Sequence, residues 1–365
     1  MIFSPVTLRS LTLKNRLVVA PMTTYSSHPD GQIRDSELEY LHRRAKGGFG
    51  MVMTAACYVH KSGHAFRGQW ACSGEEFMPS LRAASGAIQS GGSAAVLQIH
   101  HGGRACSAAL SGEQPWSASA IPSERPNAET PRAMTETDIQ TAIDAYASAA
   151  LRAKRARFDG VEIHGANTYL LQQFVSPHSN RRNDAWGQDR LKFPLAVVDA
   201  VLAAVGPDFP VGYRFSPEEM ETPGIRWPDT AALLESLAQR PLAWVHISLG
   251  KFDQSSLVGD YDDPTLARVH RALGGRVPLI GVGQIQTLDD AERCLQLGCE
   301  LVAIGRAAIT EPEWPMVALA GGQPRLKMPR QDAESKLTLP AGLVERIAGA
   351  PGWFETEEDE VAASS

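Results

Sequence analysis

The sequence predicts a single (β/α)8 barrel, the TIM-barrel architecture of the α/β class, with a capping insertion after the third strand. Eight short apolar segments follow one another along the chain, and segments with helical periodicity lie between them. The length of 365 residues is typical of one α/β barrel domain. Because strand and helix alternate, we expect parallel strands that close into a barrel rather than an open sheet.

The predicted strands are mostly apolar over their whole length, as expected for parallel strands that helices cover. They are Leu17–Pro21, Gly50–Ala55, Ala94–His100, Gly160–His164, Pro210–Ser216, Trp244–Ser248, Val277–Gly281 and Leu301–Gly305. Two helix starts are also marked. Thr135 with Asp138, and Thr287 with Asp290, resemble capping boxes in front of helical patterns.

Two segments lie outside this alternation. Val6–Leu8 and Leu11–Leu13 are expected to form a small hairpin that closes the barrel bottom. Residues 105–134 are rich in Ser, Pro, Ala and Glu and follow the third strand, on the face where barrel enzymes build their active sites. We interpret them as a capping subdomain or lid, and a surface excursion without a role is the alternative.

The predicted barrel domain covers residues 1–340 and includes the insertion, and residues 341–365 form a C-terminal extension. The extension carries an acidic tail, with five acids in the six residues Glu355–Glu360, which we expect to be solvated. No internal repeat or low-complexity linker indicates a further division.

The composition argues against several classes of protein. Charged residues make up 21% and the net charge is −6, so electrostatics give no reason to expect nucleic acid or an anionic membrane as a partner. The five cysteines show no Cys-x-x-Cys spacing, which argues against a disulfide framework, a zinc site and an iron–sulfur cluster. Reduced thiols and an N-terminus without signal-peptide character predict a cytoplasmic protein with no bound metal.

Polar side chains are predicted at the C-terminal end of the fourth strand, in the segment Gly160–Tyr169. Alternation directs Glu162 and His164 into the barrel if the apolar residues between them pack against the outer helices. Asn167 and Tyr169 follow at the same mouth, so an imidazole, a carboxamide and a phenol converge there. His164 alone would be interpreted as a structural histidine, whereas the three together indicate a site that donates hydrogen bonds and a proton.

The fifth strand places Arg214 inside the barrel by the same argument. A buried arginine needs a partner, and Glu162 on the neighbouring strand is the structural candidate. A guanidinium can equally stabilise a negative charge on a cofactor bound in the barrel, and the two roles are compatible.

Weaker signals lie on the other strands. Gln98 is a polar residue in an apolar strand, and its carboxamide can form hydrogen bonds with a ligand inside the barrel. Gly283, Gly305 and Arg306 follow the seventh and eighth strands, whose loops commonly bind phosphate in these barrels.

These motifs resemble the old yellow enzyme family, in its NADH:flavin oxidoreductase branch, over residues 1–320. The resemblance extends through most of the barrel units in the family's order. It is carried by Leu13–Met22, Val96–Arg104, Val161–Tyr169, Leu171–Pro177, Arg181–Gly187, Val211–Pro217, Gly281–Gly283 and Ala303–Arg306.

The resemblance implies an FMN site. The residues matching the family's flavin contacts are Ala20, Pro21, Met22 and Thr23 near N5, Ala55 and Gln98, Arg214 at N1/O2, and Gly283, Gly305 and Arg306 around the phosphate. Thr23 occupies a position that is Thr or Cys in the family and tunes the flavin potential. No cysteine cluster resembles the iron–sulfur site of the dienoyl-CoA reductase relatives.

The resemblance also implies catalytic roles. His164 and Asn167 match the pair that polarises the substrate oxygen, Tyr169 matches the proton donor, and Tyr25 resembles an aromatic substrate contact. Thr168 departs from the glycine often found between the Asn and the Tyr, and is expected to shift the Tyr169 loop slightly.

The function implied is FMN-dependent reduction of activated C=C bonds, in α,β-unsaturated carbonyls or nitro compounds, with NADH or NADPH as the hydride donor. The expected partners are small molecules, and a homo-oligomer is left open. Two alternatives remain at this point. One is another phosphate-binding barrel enzyme, which would need a catalytic Lys or paired carboxylates at strand ends, and the other is a non-enzymatic flavin-binding or redox-sensing protein.

Overall fold

A closed barrel of eight parallel strands forms the centre of the computed structural model, which describes residues 1–357. The strands in chain order are β1 (Val6–Leu8), β2 (Leu11–Leu13), β3 (Leu17–Val19), β4 (Met51–Tyr58), β5 (Ala94–His100), β6 (Trp116–Ser117), β7 (Arg132–Ala133), β8 (Gly160–Gly165), β9 (Val211–Phe215), β10 (Trp244–Ile247), β11 (Leu279–Val282) and β12 (Leu301–Ile304). The barrel runs β3-β4-β5-β8-β9-β10-β11-β12, and β12 pairs with β3 to close it. The predicted fold class is therefore confirmed.

Helices alternate with the barrel strands and also occur in the insertion and the C-terminal segment. They are α1 (Asp35–Lys46), α2 (Met78–Ser90), α3 (Ala108–Ser111), α4 (Glu136–Arg155), α5 (Leu170–Val175), α6 (Ala185–Gln188), α7 (Lys192–Val205), α8 (Trp227–Ala238), α9 (Thr265–Leu273), α10 (Leu288–Gln296), α11 (Arg306–Thr310), α12 (Trp314–Leu319), α13 (Ala333–Leu337) and α14 (Ala341–Ala348). Both predicted capping boxes are confirmed: Thr135 and Asp138 begin α4, and Thr287 and Asp290 begin α10. No helix in the described part of the chain is long and apolar enough to span a membrane.

The bottom of the barrel is filled by apolar side chains. Strands β1 and β2 form the predicted antiparallel hairpin. Its buried leucines, Leu8 and Leu13, pack with inward residues of the barrel strands such as Val96 and Leu301. The hairpin therefore closes this end, and the polar residues of the barrel interior lie nearer the opposite mouth.

Strand register stacks the polar residues in two layers. Gln98, Glu162, Gly212 and Trp244 are register partners on successive strands. His164, Arg214 and His246 form the next layer towards the C-terminal ends of the strands. A Cβ at Gly212 would lie 1.9 Å from Nε1 of Trp244, so glycine is required there to admit the indole.

The insertion after β5 is held against the barrel rather than projecting from it. Strands β6 and β7 pair with each other. Arg182 donates hydrogen bonds to the carbonyl oxygens of Ala118 and Met134, next to these two strands, at 3.0 and 2.7 Å. The buried Arg104 donates to Pro122 O at 3.1 Å, further along the insertion.

The C-terminal segment returns to the barrel mouth. Its helix α14 begins beside the β3–α1 loop, where Gly342 N donates to Ser26 Oγ at 2.9 Å. Residues Met328 and Thr356 then form a parallel bridge. The predicted acidic tail lies only partly within this segment, because residues 358–365 are outside the described residues.

Candidate active site

A cleft of about 430 Å³ opens at the C-terminal ends of β3, β9, β11 and β12, a volume typical of small-molecule sites. Most of the predicted flavin contacts line it: Ala20, Pro21, Met22, Arg214, Gly283, Gly305 and Arg306. The other three predicted contacts are not among the lining residues. Gln98 and Ala55 are buried in the barrel, and Thr23 is half-buried in the loop after β3.

One end of the cleft is formed by the loops after β11 and β12. Gly283 has φ of +129°, and a Cβ there would lie 2.8 Å from backbone atoms of Lys251 and Phe252, so only glycine fits. Arg306 also lines the cleft and donates from Nη1 to Trp353 O at 3.3 Å. Trp353 and Phe354 of the C-terminal segment also line the cleft. A glycine loop beside an arginine suits a phosphate group.

Arg214 presents an unused donor in this cleft. Its Nη2 donates to Ser248 Oγ at 3.3 Å, while its Nε is buried and has no hydrogen-bond partner within residues 1–357. Burial lowers the pKa of Arg214, and the negative charge of Glu162 offsets part of that decrease. A buried cationic donor without an acceptor fits the electron-rich pyrimidine edge of FMN, which would satisfy it.

No salt bridge joins Arg214 to its candidate partner Glu162 among the described residues, although their charges interact at longer range. Glu162 instead accepts hydrogen bonds from Gln98 Nε2 (2.8 Å), Trp244 Nε1 (3.0 Å) and His246 Nδ1 (2.9 Å). Burial alone would raise the pKa of Glu162, but His246, Arg214 and Gln98 hold it below its ordinary value. Burial lowers the pKa of His246, so a neutral imidazole donates to an ionised carboxylate. These donors use both carboxylate oxygens, and Arg214 is left for the cleft.

We predict that Arg214→Ala lowers the midpoint potential of bound FMN by about 30 mV or more, or ~1.4 kcal/mol for a two-electron couple. The reason is that the positive charge of Arg214, which this variant lacks, stabilises reduced flavin more than oxidised flavin. Glu162 keeps its three donors in this variant, so we expect little accompanying loss of stability. Potentiometric titration of the FMN-loaded variant measures the shift, and Arg214→Lys, which keeps the charge, should shift less. An unchanged potential in the alanine variant would refute the role.

His164 is a neutral donor at the mouth of the barrel. Its Nδ1 accepts the backbone N–H of Ala166 at 3.2 Å, so the imidazole proton is on Nε2. Burial lowers the pKa of His164 well below its ordinary value, and His100, Arg214 and His246 add to the decrease. The side chain therefore offers an N–H without a positive charge, the form that polarises a carbonyl or nitro oxygen.

The turn after β8 is strained and fastened by side chains. Asn167 and Thr168 have φ of +57° and +62°, which is rare for residues with a Cβ and especially for a β-branched one. Thr168 N donates to Gln172 Oε1 at 2.9 Å, which helps to hold the turn. Asn167 Nδ2 donates to Ser248 Oγ at 3.2 Å, on the side of Arg214. The pairing of Asn167 with His164 on one substrate oxygen stays a prediction.

Tyr169 is brought together with His164 as expected. Their rings meet edge-on with centroids 5.2 Å apart. Tyr25 joins the same group indirectly: its ring is 5.5 Å from that of Phe66, which is 6.3 Å from that of His100. One group of five aromatic rings thus lies at the mouth of the barrel: Tyr169, His164, His100, Phe66 and Tyr25.

His100 belongs to this group and was not among the predicted residues. Its ring lies 4.3 Å from that of Tyr169 and 5.3 Å from that of His164. It is two residues after Gln98 on β5, so the alternation that directs Gln98 inward also directs His100 inward. That signal was available in the sequence.

The family model described as the NADH:flavin oxidoreductase / NADH oxidase family matches residues 1–322. The chain belongs to this family. The chain is 40% identical to a probable NADH-dependent flavin oxidoreductase of Bacillus subtilis, covering 96% of this chain and 97% of that one. It is also 32% identical to an NADPH dehydrogenase of Geobacillus thermodenitrificans, covering 87% and 93% of the two chains.

The fold is also similar to those of solved structures. Morphinone reductase is 28% identical and superposes with a TM-score of 0.77, covering 89% of this chain and 91% of the other. Members of this old yellow enzyme family use FMN and are NADH- or NADPH-dependent oxidoreductases, which confirms the cofactor and the enzyme class. A further relative, the NADH:fumarate oxidoreductase of Klebsiella pneumoniae, is 43% identical over 88% of this chain, but this chain spans only 36% of that protein.

Proposed function

We propose that this flavin oxidoreductase reduces activated C=C bonds of small α,β-unsaturated carbonyl or nitro compounds. The observation that carries the proposal is the neutral N–H of His164 beside the phenol of Tyr169, at the barrel mouth that also holds the Arg214 cleft. A donor for one oxygen and an acid for one carbon are what such a reduction requires of the protein.

When bound, FMN supplies the hydride chemistry, accepting a hydride from NADH or NADPH and delivering one to the substrate Cβ. His164 donates from Nε2 to the carbonyl or nitro oxygen and stabilises the negative charge that develops there. Tyr169 gives its hydroxyl proton to Cα. Arg214 provides positive charge in the cleft, and Gly283, Gly305 and Arg306 bind the phosphate. A cytoplasmic location, where NADH and NADPH are available, fits this activity.

The direct test uses the flavin spectrum. We expect the purified protein to be yellow, to release FMN and not FAD on denaturation, and to lose its visible absorbance with NADH or NADPH under anaerobic conditions. Addition of cyclohexenone or a nitroalkene should then restore the absorbance within a few turnovers. A protein that NAD(P)H reduces but that neither acceptor reoxidises would contradict the proposed substrates while leaving the family assignment intact.

A further inference from the structure

Two histidine rings and one arginine lie around the side chain of Tyr169. The guanidinium of Arg125, an exposed residue of the insertion, lies 5.6 Å from the centre of the Tyr169 ring. The rings of His100 and His164 meet the same side chain edge-on at 4.3 and 5.2 Å. Arg125 makes no ion pair with an acid within residues 1–357, and its neighbour Glu124 lies 3.7 Å from His178 instead. No acidic side chain among the described residues is within salt-bridge distance of this guanidinium.

The tautomer of His100 is determined by Gln69. The Oε1 atom of Gln69 accepts the backbone N–H of Ala65 at 2.8 Å, and its Nε2 donates to the carbonyl oxygen of Ala56 at 3.2 Å. These partners assign the oxygen and the nitrogen of the Gln69 amide, because the backbone N–H of Ala65 can only donate and the carbonyl oxygen of Ala56 can only accept. Gln69 Nε2 must then also donate to His100 Nδ1, at 2.9 Å, and the proton of His100 must be on Nε2.

That Nε2–H has no acceptor. The side chain is fully buried, and His100 Nε2 has no hydrogen-bond partner in the described part of the chain. Burial, with a contribution from Arg125, lowers the pKa of His100 to about 3, so the ring is a neutral donor at any working pH. A buried N–H without an acceptor costs stability and needs an explanation, and its position beside Tyr169 suggests one.

We propose that His100 and Arg125 are positioning residues for Tyr169, and that they stabilise the tyrosinate formed when Tyr169 protonates the substrate. In this step the Oη–H bond breaks, a Cα–H bond forms, the phenolate keeps the electron pair, and water then restores the proton. A cation over the ring and the N–H dipole of a neighbouring imidazole both favour the anion over the neutral phenol. The proposal rests on the proposed function, because it assigns Tyr169 as the acid.

The proposal also gives the insertion a role. Arg125 is the part of this arrangement that the barrel does not supply, since residues 105–134 carry it to Tyr169. Full acid strength at Tyr169 therefore requires the insertion to be packed against the barrel mouth. This favours the interpretation of the segment as a lid over that of a surface excursion.

The test compares a substrate that needs immediate protonation, cyclohexenone, with a nitroalkene, whose nitronate product does not. Arg125→Gln should slow enone reduction about 2- to 5-fold, as expected for an exposed cation–π contact. His100→Phe, which keeps an aromatic ring, should also slow it about 2- to 5-fold, as expected for the loss of an N–H contact with an aromatic ring. Nitroalkene reduction should change by less than about 2-fold in both variants.

Double-mutant cycles show whether the effects act through Tyr169. In a Tyr169→Phe background, Arg125→Gln and His100→Phe should cause no further loss with the enone. Arg125→Lys should restore most of the activity. Arg346→Gln is the matched control, because Arg346 lies 5.9 Å over the ring of another tyrosine, Tyr25, and should not separate the two substrates.

Additive losses, or equal losses with both substrates, would overturn the proposal. A Tyr169→Phe variant that itself shows no difference between substrates would instead overturn the assignment of Tyr169, and so the proposed function. The tautomer is tested without turnover, by long-range ¹H–¹⁵N NMR of the histidines in the FMN-free protein. We expect an Nε2–H signature for His100 that is lost or mixed in Gln69→Leu, and an Nδ1–H signature in the unmodified protein would overturn the proposal.

Discussion

Replacing His164 with alanine should lower kcat/KM for an enone by about 10²–10³-fold, because one donor to a developing oxyanion typically contributes ~2.7–4 kcal/mol. The structure makes this donor specific: Ala166 N–H holds Nδ1, so Nε2 is the nitrogen that carries the proton. Binding of a phenol to the oxidised enzyme should weaken in parallel, since the same N–H would donate to the oxygen of the enone and to that of the phenol. Stopped-flow reoxidation and a spectral titration with a phenol measure the two effects.

The control for this variant separates a lost donor from a lost buried ring. His101→Ala removes an imidazole whose two nitrogens are both used by the protein, Nε2 by Ser62 Oγ at 2.9 Å and Nδ1 by Gly103 N at 3.1 Å. It should lower thermal stability but largely keep phenol affinity. If His164→Ala retains the phenol affinity of the unmodified enzyme, then His164 does not contact the substrate.

Much of the barrel can be predicted from sequence because buried parallel strands are apolar and short. All eight predicted strands are present, and Ala94–His100 agrees at both ends. The main difference is β4, which the sequence predicts to end at Ala55 but which continues to Tyr58. The pairing between β4 and β5 shifts register at this point and then resumes, and such an irregularity leaves no periodic signal in the sequence.

The interior of the site is less predictable because charge pairing depends on geometry across several strands. Because a buried carboxylate usually needs a positively charged partner, the sequence suggests Arg214 as the partner of Glu162. The structure satisfies Glu162 with neutral donors instead, and Trp244 reaches it only because the facing residue, Gly212, has no side chain. Neither fact can be read from the strands one at a time.

Contacts made by segments that are distant in the chain cannot be predicted from the sequence for the same reason. Trp353 and Phe354 line the cleft although they lie beyond the matched family region, which ends at residue 322. Arg125 reaches Tyr169 from the middle of a polar insertion. In both cases the sequence indicates a loop or an extension, and only the fold shows which side chains reach the barrel mouth.

The contribution of Tyr169 can be isolated by dividing the catalytic cycle. Tyr169→Phe should retain FMN and be reduced by NAD(P)H at a near-normal rate, because that half-reaction requires no protein acid. Reoxidation by cyclohexenone should slow by about 10²–10⁴-fold, the usual contribution of a general acid. Reoxidation by a nitroalkene should slow much less, because the nitronate leaves without immediate protonation.

The contrast between substrates distinguishes proton transfer from packing. The Tyr169 ring contacts both His100 and His164, so a purely structural phenol would disturb His164 and slow both acceptors together. Tyr25→Phe is the matched control, since Tyr25 belongs to the same aromatic group through Phe66 and should not separate the enone from the nitroalkene. Stopped-flow measurement of each half-reaction is decisive. A slowed reductive half-reaction in Tyr169→Phe, or equal losses with the two acceptors, would show that the hydroxyl acts by holding the site together and that the proton comes from another source.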